Sequence, residues 1–259
     1  MSKYLYSVLT VNTGGYEPIR EVSKPNKDVE YVCVTDNPDL KSKTWKLIYI
    51  PDIWFLYVKH HPYEFISSDV CLWLDGSYQL IDDPTDAFVK PFIESNKELS
   101  ISLHDKRWNV VEEAMMWVYI RNFSFPNAER FIIKILAEQY RQATLFQTSC
   151  ILSKKTADVL NIFYLVSELE HELSAEGKYR DDQTLVSYII GKHYYRWDKI
   201  NLMNFEKIAN NPYFVWKRHG SDDQIIVQQK SFRCFDLDFE HLYEIGDDFN
   251  TDWTEYVKK

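Results

Sequence analysis

Glycine is scarce in this chain, with seven in 259 residues, and none of them falls into G-x-G-x-x-G or G-x-x-x-x-G-K-[ST]. Loops that wrap phosphates with backbone amides depend on those glycines, so dinucleotide enzymes and P-loop NTPases are disfavoured. The Gly14-Gly15 pair is also shorter than the glycine-rich loop expected of nucleotidyltransferases that make sugar nucleotides. A G-x-S-x-G serine elbow is missing too. Cysteine is rarer still. Cys33, Cys71, Cys150 and Cys234 show no close spacing of the kind that builds a zinc site, and three of them lie inside apolar strand-like runs. They read as buried free thiols in a reducing compartment.

No apolar stretch approaches the ~20 residues that cross a bilayer, and the opening MSKYLYSVLTV lacks a signal peptide's long apolar region and small-residue cleavage site. A cytoplasmic protein is the expectation, one that reaches a membrane face only peripherally, through a partner. An excess of basic residues is absent as well. The net charge is -9, and neutralising nucleic-acid phosphates needs a basic surface that this sequence concentrates nowhere, so no nucleic-acid partner is expected. A local cationic pocket for one small phosphorylated ligand stays compatible with that charge. What the chain does have is aromatics, 16% of residues with 18 Tyr and 8 Trp. That excess suits the handling of flat apolar faces such as sugar rings or bases, and an aromatic core gives the same count.

The first half alternates short β-branched or aromatic runs with longer helical patterns, the signature of an α/β sheet. Strands are expected over Tyr4 to Val11, Glu30 to Thr35, Trp45 to Ile50, around Val70 to Leu74, Leu99 to Leu103 and Thr144 to Leu152. Helices are expected over Ile53 to Ser67 despite Pro62, after Pro84 to about Asn96 with Pro91 disturbing it, and over Glu112 to Asn122 and Asn127 to Ala143. Two more follow, Lys155 to Leu173 and Asp181 to about Gly191. Beyond His193 the pattern turns irregular and aromatic, then acidic. One domain is expected, with residues 1–193 forming the nucleotide-sugar-binding catalytic part and residues 194–259 an extension packed on it.

The stretch CLWLDGSYQL, residues 71–80, places a carboxylate at the end of a continuous apolar run. A charge that close to a sheet core is costly unless it meets water, a donor or a cation. Asp75 therefore either caps a turn or binds something. Three strand ends carry polar residues: Asn12 with Thr13, Asp36 with Asn37, and Asp75 with Ser77. In open α/β sheets ligands gather beyond the carboxyl ends of the strands, so the three clusters can share one crevice. Asp36-Asn37-Pro38 and Asp75-Gly76 are also ordinary turn sequences, and that reading stays open.

The stretches YVCVTDNPDL, KTWKLIYIP, CLWLDGSYQLIDDP, ISLHDKRWNVVEEA and YRDDQTLVSYII follow one another as in a family of glycosyltransferase-like proteins. Its members include plant mucilage-related hexosyltransferase-like proteins and bacterial polysaccharide-synthesis proteins. The chain resembles this family over roughly Tyr4 to His193, most specifically in Trp73-Leu74-Asp75-Gly76 followed by Gln79-Leu80 and Asp83-Pro84. The resemblance implies a GT-A-like, Rossmann-like mixed sheet flanked by helices, with an irregular C-terminal extension. It further implies transfer of a hexose from a nucleotide diphosphate-sugar, with UDP the expected nucleotide, to a glycan, glycolipid or glycoprotein acceptor.

By position, Val11, Asn12 and Asp36 look like the nucleoside-holding residues of that family. Asp75 looks like the first acid of its Asp-x-Asp element, whose carboxylates hold Mn2+ or Mg2+ against the donor diphosphate. Ser77 stands where many such enzymes have the second acid, and a hydroxyl is a poorer ligand for a hard cation. His219, in VWKRHGSDD, is the candidate for a distant metal ligand; a surface histidine beside a basic turn is the other reading. Lys217 and Arg218 are candidates for the diphosphate. His104, at a strand end with Asp105 and Arg107, is placed to orient the donor sugar or an acceptor hydroxyl. Asp181, Asp182 and Gln183 match an acidic element of the family near the reacting sugar, with Asp182 the chosen residue. It either deprotonates the acceptor or positions sugar hydroxyls. An acidic helix N-terminus accounts for the two aspartates but gives Gln183 no role. The rival to a transferase is a non-catalytic nucleotide- or carbohydrate-binding protein with this fold, and a third reading is a purely structural partner in glycan assembly.

Overall fold

In chain order the strands and helices are β1 (Tyr6–Asn12), β2 (Val29–Thr35), β3 (Lys46–Tyr49), α1 (Phe55–His60), β4 (Val70–Leu74), β5 (Tyr78–Leu80), α2 (Lys90–Glu94), β6 (Leu99–Leu103), β7 (Phe146–Lys154), α3 (Ala157–Leu173), α4 (Asp182–His193), β8 (Ile200–Asn204) and β9 (Phe214–Trp216). The structure, a computed structural model, describes residues 3–104, 109–111, 113–114, 130–135, 138, 145–174, 181–193, 197–204 and 212–216. Seven strands form one mixed sheet in the order β3-β2-β1-β4-β7-β6-β8, and β5 and β9 form a separate antiparallel pair. β1, β2, β3 and β4 run parallel, whereas β7 runs antiparallel to both of its neighbours, β4 and β6. β8 lies parallel to β6 at the edge.

The apolar run at Val70–Leu74 is continuous because both faces of β4 are covered, as is usual for a parallel strand in an α/β sheet. All five of its residues are buried. Successive side chains point to opposite faces, so Cys71 and Trp73 join the core made with α1, α3 and α4. Val70, Leu72 and Leu74 join the other core, with Tyr6, Trp45 and Phe92. α3 follows its apolar periodicity, burying Val159, Ile162, Phe163, Val166 and Leu169, and Thr156 caps it by accepting the amide of Val159 at 3.3 Å. Cys33, Cys71 and Cys150 are buried free thiols, as their apolar surroundings lead one to expect; Cys234 lies outside the described residues.

The elements depart from the expected ones where proline intervenes. The helix expected over Ile53 to Ser67 stops at His60, and Pro62 opens a short 3-10 turn, Pro62–Glu64. A proline inside a helix loses a donor and clashes with the preceding turn, and it pushes the residue before it out of the helical region; His61 sits at φ -123°, ψ 46°. The helix expected after Pro84 is a wide π turn, Thr85–Val89, running directly into α2, with Pro91 as the second residue of α2. β5, β8 and β9 were not expected as strands. The helices expected between Glu112 and Ala143 fall mostly outside the described residues; residues 110–111, 113–114 and 130–135 are helical.

Leu72 is fully buried in the second core. Leu72→Ala is expected to lower unfolding free energy by about 2–5 kcal/mol, read as a shifted urea midpoint with unchanged slope.

Candidate active site

The parallel half of the sheet aligns the carboxyl ends of β1, β2 and β4, since Asn12 lies opposite Thr35 and Leu9 opposite Trp73. The loops beyond them are tied to one another. The Gly14 amide donates to both carboxylate oxygens of Asp36, at 3.1 and 2.9 Å. Gly14 and Gly15 both take φ 62°, a left-handed conformation that other residues adopt only at a cost. Asn12 is buried and donates its amide to the Glu17 carbonyl at 2.6 Å. The Arg20 guanidinium pairs with Glu17 at 3.0 Å and also donates to the carbonyl of Gly76. A Cβ on Gly76 would sit 3.2 Å from Glu17 Cγ and 3.4 Å from the Val11 carbonyl oxygen. Three polar clusters that are far apart in sequence thus share one sheet edge.

Asp75 follows β4, and its amide donates to the Ser149 carbonyl of β7 at 2.9 Å. Its own carbonyl accepts from the Tyr78 amide at 2.9 Å, so Asp75-Gly76 does make a tight turn. Residue alternation puts Trp73 and Asp75 on the same face, and the indole Nε1 of Trp73 donates to Asp75 Oδ1 at 2.8 Å. The Lys59 ammonium, from α1, donates to the same oxygen at 3.2 Å and to Asp182 Oδ2 at 2.5 Å. Thr148 of β7 donates to that same Asp182 oxygen at 2.5 Å. Lys59 lies 5.3 Å from the centre of the Trp73 ring. Its side chain is 2% exposed, against 34% for Asp75 and 15% for Asp182. One buried cation therefore bridges two carboxylates. Among the described residues, Asp75 Oδ2 and Asp182 Oδ1 accept no hydrogen bond.

The charges follow from this geometry. Burial works against the ammonium of Lys59, but Asp182 and Asp75 outweigh it and hold the pKa above its ordinary value. Burial pushes Asp75 up and the Asp182 charge adds to it, opposed by Lys59 and the Trp73 bond. Burial would raise Asp182 too, yet the Lys59 charge and bond, together with Thr148, hold it below the usual carboxylate range. Asp182 is thus an ionised carboxylate with an open oxygen.

Asp181 has a different local role. It caps α4, accepting the Thr184 amide at 3.3 Å and the Thr184 hydroxyl at 2.7 Å. Burial, and then the Glu113 charge, push its pKa well up. Gln183 donates to Glu113 at 3.2 Å. Val11 is half-buried, Ser77 is buried at the Asp75 turn, and His104 is half-buried after β6 with its amide on the Leu145 carbonyl at 2.9 Å. Lys217, Arg218, His219, Asp105 and Arg107 lie outside the described residues.

Lys59, Thr148 and the Trp73 indole were not picked out in the sequence. A signal for Lys59 was present: it stands three residues after Leu56, on the inward face of an apolar helix, where a charge calls for a partner. Thr148 and Ser149 are likewise buried polar residues, just before the apolar run Cys150–Leu152 of β7. For a hard divalent cation, the described residues bring no three His, Cys, Asp or Glu together. Asp75 alone, with one open oxygen and partial exposure, suits an ion such as Mg2+ or Mn2+ that is held by one or two carboxylates and keeps several waters.

Residues 57–167 match the TOD1/MUCI70, glycosyltransferase-like domain, a span that includes Lys59, Asp75 and Thr148. No curated protein sequence matches significantly. Among solved structures, the glycosyltransferase GlyE of Streptococcus pneumoniae TIGR4 is similar over 97% of this chain and 62% of that one, at 13% identity and a TM-score of 0.46. The chain therefore spans less than two thirds of the length of GlyE. The galactosyltransferase LgtC, in complex with donor and acceptor sugar analogues, is similar over 97% of this chain and 99% of that one, at 10% identity and a TM-score of 0.45. At these values no residue role passes from either enzyme to this chain. No helix among the described residues is long and apolar enough to cross a membrane.

Lys59→Met leaves Asp75 and Asp182 facing each other without a cation. A loss of about 3–5 kcal/mol of unfolding free energy is expected, with part of it recovered when Asp182→Leu is added; urea titration of the single and double variants checks this.

Proposed function

We propose that the protein is a glycosyltransferase of GT-A type that moves a hexose from a nucleotide diphosphate-sugar, with UDP as the nucleotide, to a glycan, glycolipid or glycoprotein acceptor in the cytoplasm. The observation that carries this reading is the Asp75–Lys59–Asp182 bridge at the carboxyl edge of β4, most of it inside the segment that matches a glycosyltransferase-like domain. On this reading Val11, Asn12 and Asp36 line the nucleoside side of the edge. Asp75 holds the divalent cation through its open oxygen, with Ser77 beside it and His219 as the second protein ligand, and Lys217 meets the diphosphate.

A leaving diphosphate gains negative charge as the glycosidic bond breaks, and fixed positive charge placed beforehand lowers that barrier. The cation, when bound, supplies part of that charge. Lys59 supplies a second part from the protein, in a position that two carboxylates fix before any ligand arrives. Asp182 is held below its ordinary pKa, which makes it a weak base. Its open oxygen is better suited to orienting sugar hydroxyls and stabilising positive charge at the anomeric carbon than to removing the acceptor's proton. Gln183 and the Asp181 cap fix the helix start that presents it, and His104 orients the donor sugar or an acceptor hydroxyl.

Asp75→Asn and Asp182→Asn are each expected to reduce turnover of a screened sugar nucleotide by at least about 100-fold. The melting-temperature rise given by that nucleotide with Mn2+ is expected to shrink for Asp75→Asn and to persist for Asp182→Asn. Wild-type rates in both variants would overturn the assignment. The buried hydroxyl of Ser77 in place of an acid favours one second reading, a non-catalytic binding protein. Saturable nucleotide binding that is independent of Mn2+, with no product over hours, would select it.

A further inference from the structure

The bridge rests on a second buried polar group that the reaction scheme above leaves unused. α1 is only six residues long and has no side-chain cap at its start, so its orientation is imposed from outside. Glu170 of α3, 4% exposed, binds at the start of the helix and lies close to its end. Its Oε1 accepts the indole N–H of Trp54, the residue that precedes α1, at 2.5 Å. Its Oε2 lies 3.7 Å from Nδ1 of His60, the last residue of α1. His60 is 2% exposed, and neither ring nitrogen has a hydrogen-bond partner among the described residues. Such orphaned buried nitrogens are rare and call for a physical reason.

We propose, on the transferase reading above, that Glu170 is a positioning residue for Lys59, its carboxyl bound by the Trp54 indole before α1 and, when protonated, turned as a donor towards the neutral His60 ring at the end of α1. A protonated Glu170 is a donor facing an imidazole nitrogen that can accept, and a hydrogen bond needs that gap to close to about 2.7–3.2 Å. An ionised Glu170 loses that donor and places a second buried negative charge behind Asp182. Among the described residues, the charged and titratable groups facing the pair are Lys59 on α1, His61 just beyond it and Asp182 on α4, with Asp75 reached through Lys59.

The electrostatics agree with the geometry. Burial, with a smaller push from Asp182, raises Glu170 from 4.5 to about 7 against the Trp54 bond. Burial lowers His60 to about 3, so its ring is neutral and accepts. The sign is that of a raised folded pKa. The stabilisation from Glu170 is complete below its ordinary 4.5 and is lost as the pH climbs through about 7.

The test follows the side-chain carbon signal of Lys59 by NMR in full-length protein with labelled lysine, assigned with Lys59→Arg. Urea unfolding and sugar-nucleotide turnover are measured on the same samples from about pH 5 to about pH 9. In the wild type, the Lys59 signal is expected to move on a one-proton curve centred near 7, with turnover falling on the same curve. Glu170→Gln keeps an acceptor for Trp54 and mimics the protonated state, so both curves should flatten at their low-pH level. Trp54→Phe removes a donor that favours the ionised form, so it should raise the midpoint. A purely structural role would lower stability and leave the Lys59 curve in place; matching Lys59 curves in wild type and Glu170→Gln overturn the proposal. Should no sugar nucleotide be turned over at all, the transferase reading fails while the Lys59 and unfolding curves still decide this one.

Discussion

The arrangement depends on keeping one ammonium, that of Lys59, between two carboxylates at the edge of a buried sheet. Without partners, its burial would be too costly to retain the charge. With Asp75 at 3.2 Å and Asp182 at 2.5 Å, the charge is kept and its position is fixed from two sides. Each partner comes from a different element, the end of β4 and the start of α4, and Lys59 from a third, α1. The ion pairs therefore join three parts of the fold where a ligand would arrive. Neither carboxylate is saturated by the bridge, because the donors converge on one oxygen of each.

The sheet edge around the bridge is built the same way, by polar groups that hold loops rather than strands. Asp36 carries the Gly14 amide, Asn12 the Glu17 carbonyl, and Arg20 joins Glu17 to Gly76. These bonds explain why the residues first singled out for ligand chemistry also make good turn residues. The two readings are compatible here, since a loop that is organised in advance loses less freedom when something binds to it.

Much of the fold was legible because apolar periodicity is a local signal. The unbroken run before Asp75 announced a strand covered on both faces, and the spacing from Val159 to Leu169 announced α3. Pro62 ends the first expected helix at His60 through the backbone geometry that proline imposes, whereas the helix expected after Pro84 forms, as a wide turn over Thr85–Val89 that continues into α2. β5, β8 and β9 are three to five residues long, and their pairing is with strands far away in sequence. Segments that short carry almost no local preference, so their pairing is settled only once the rest has folded.

The sequence by itself determined that a carboxylate closes the fourth strand, that an acidic pair opens a helix a hundred residues later, and that both lie in an α/β frame. It also contained, unrecognised, a lysine on the apolar face of α1. Only the tertiary structure decided that these three meet, that Asp182 and not Asp181 turns towards the lysine, and that Glu170 braces the short helix from behind. Periodicity says which face of an element is buried; which charges face one another inside depends on how distant elements pack, and no local pattern encodes that.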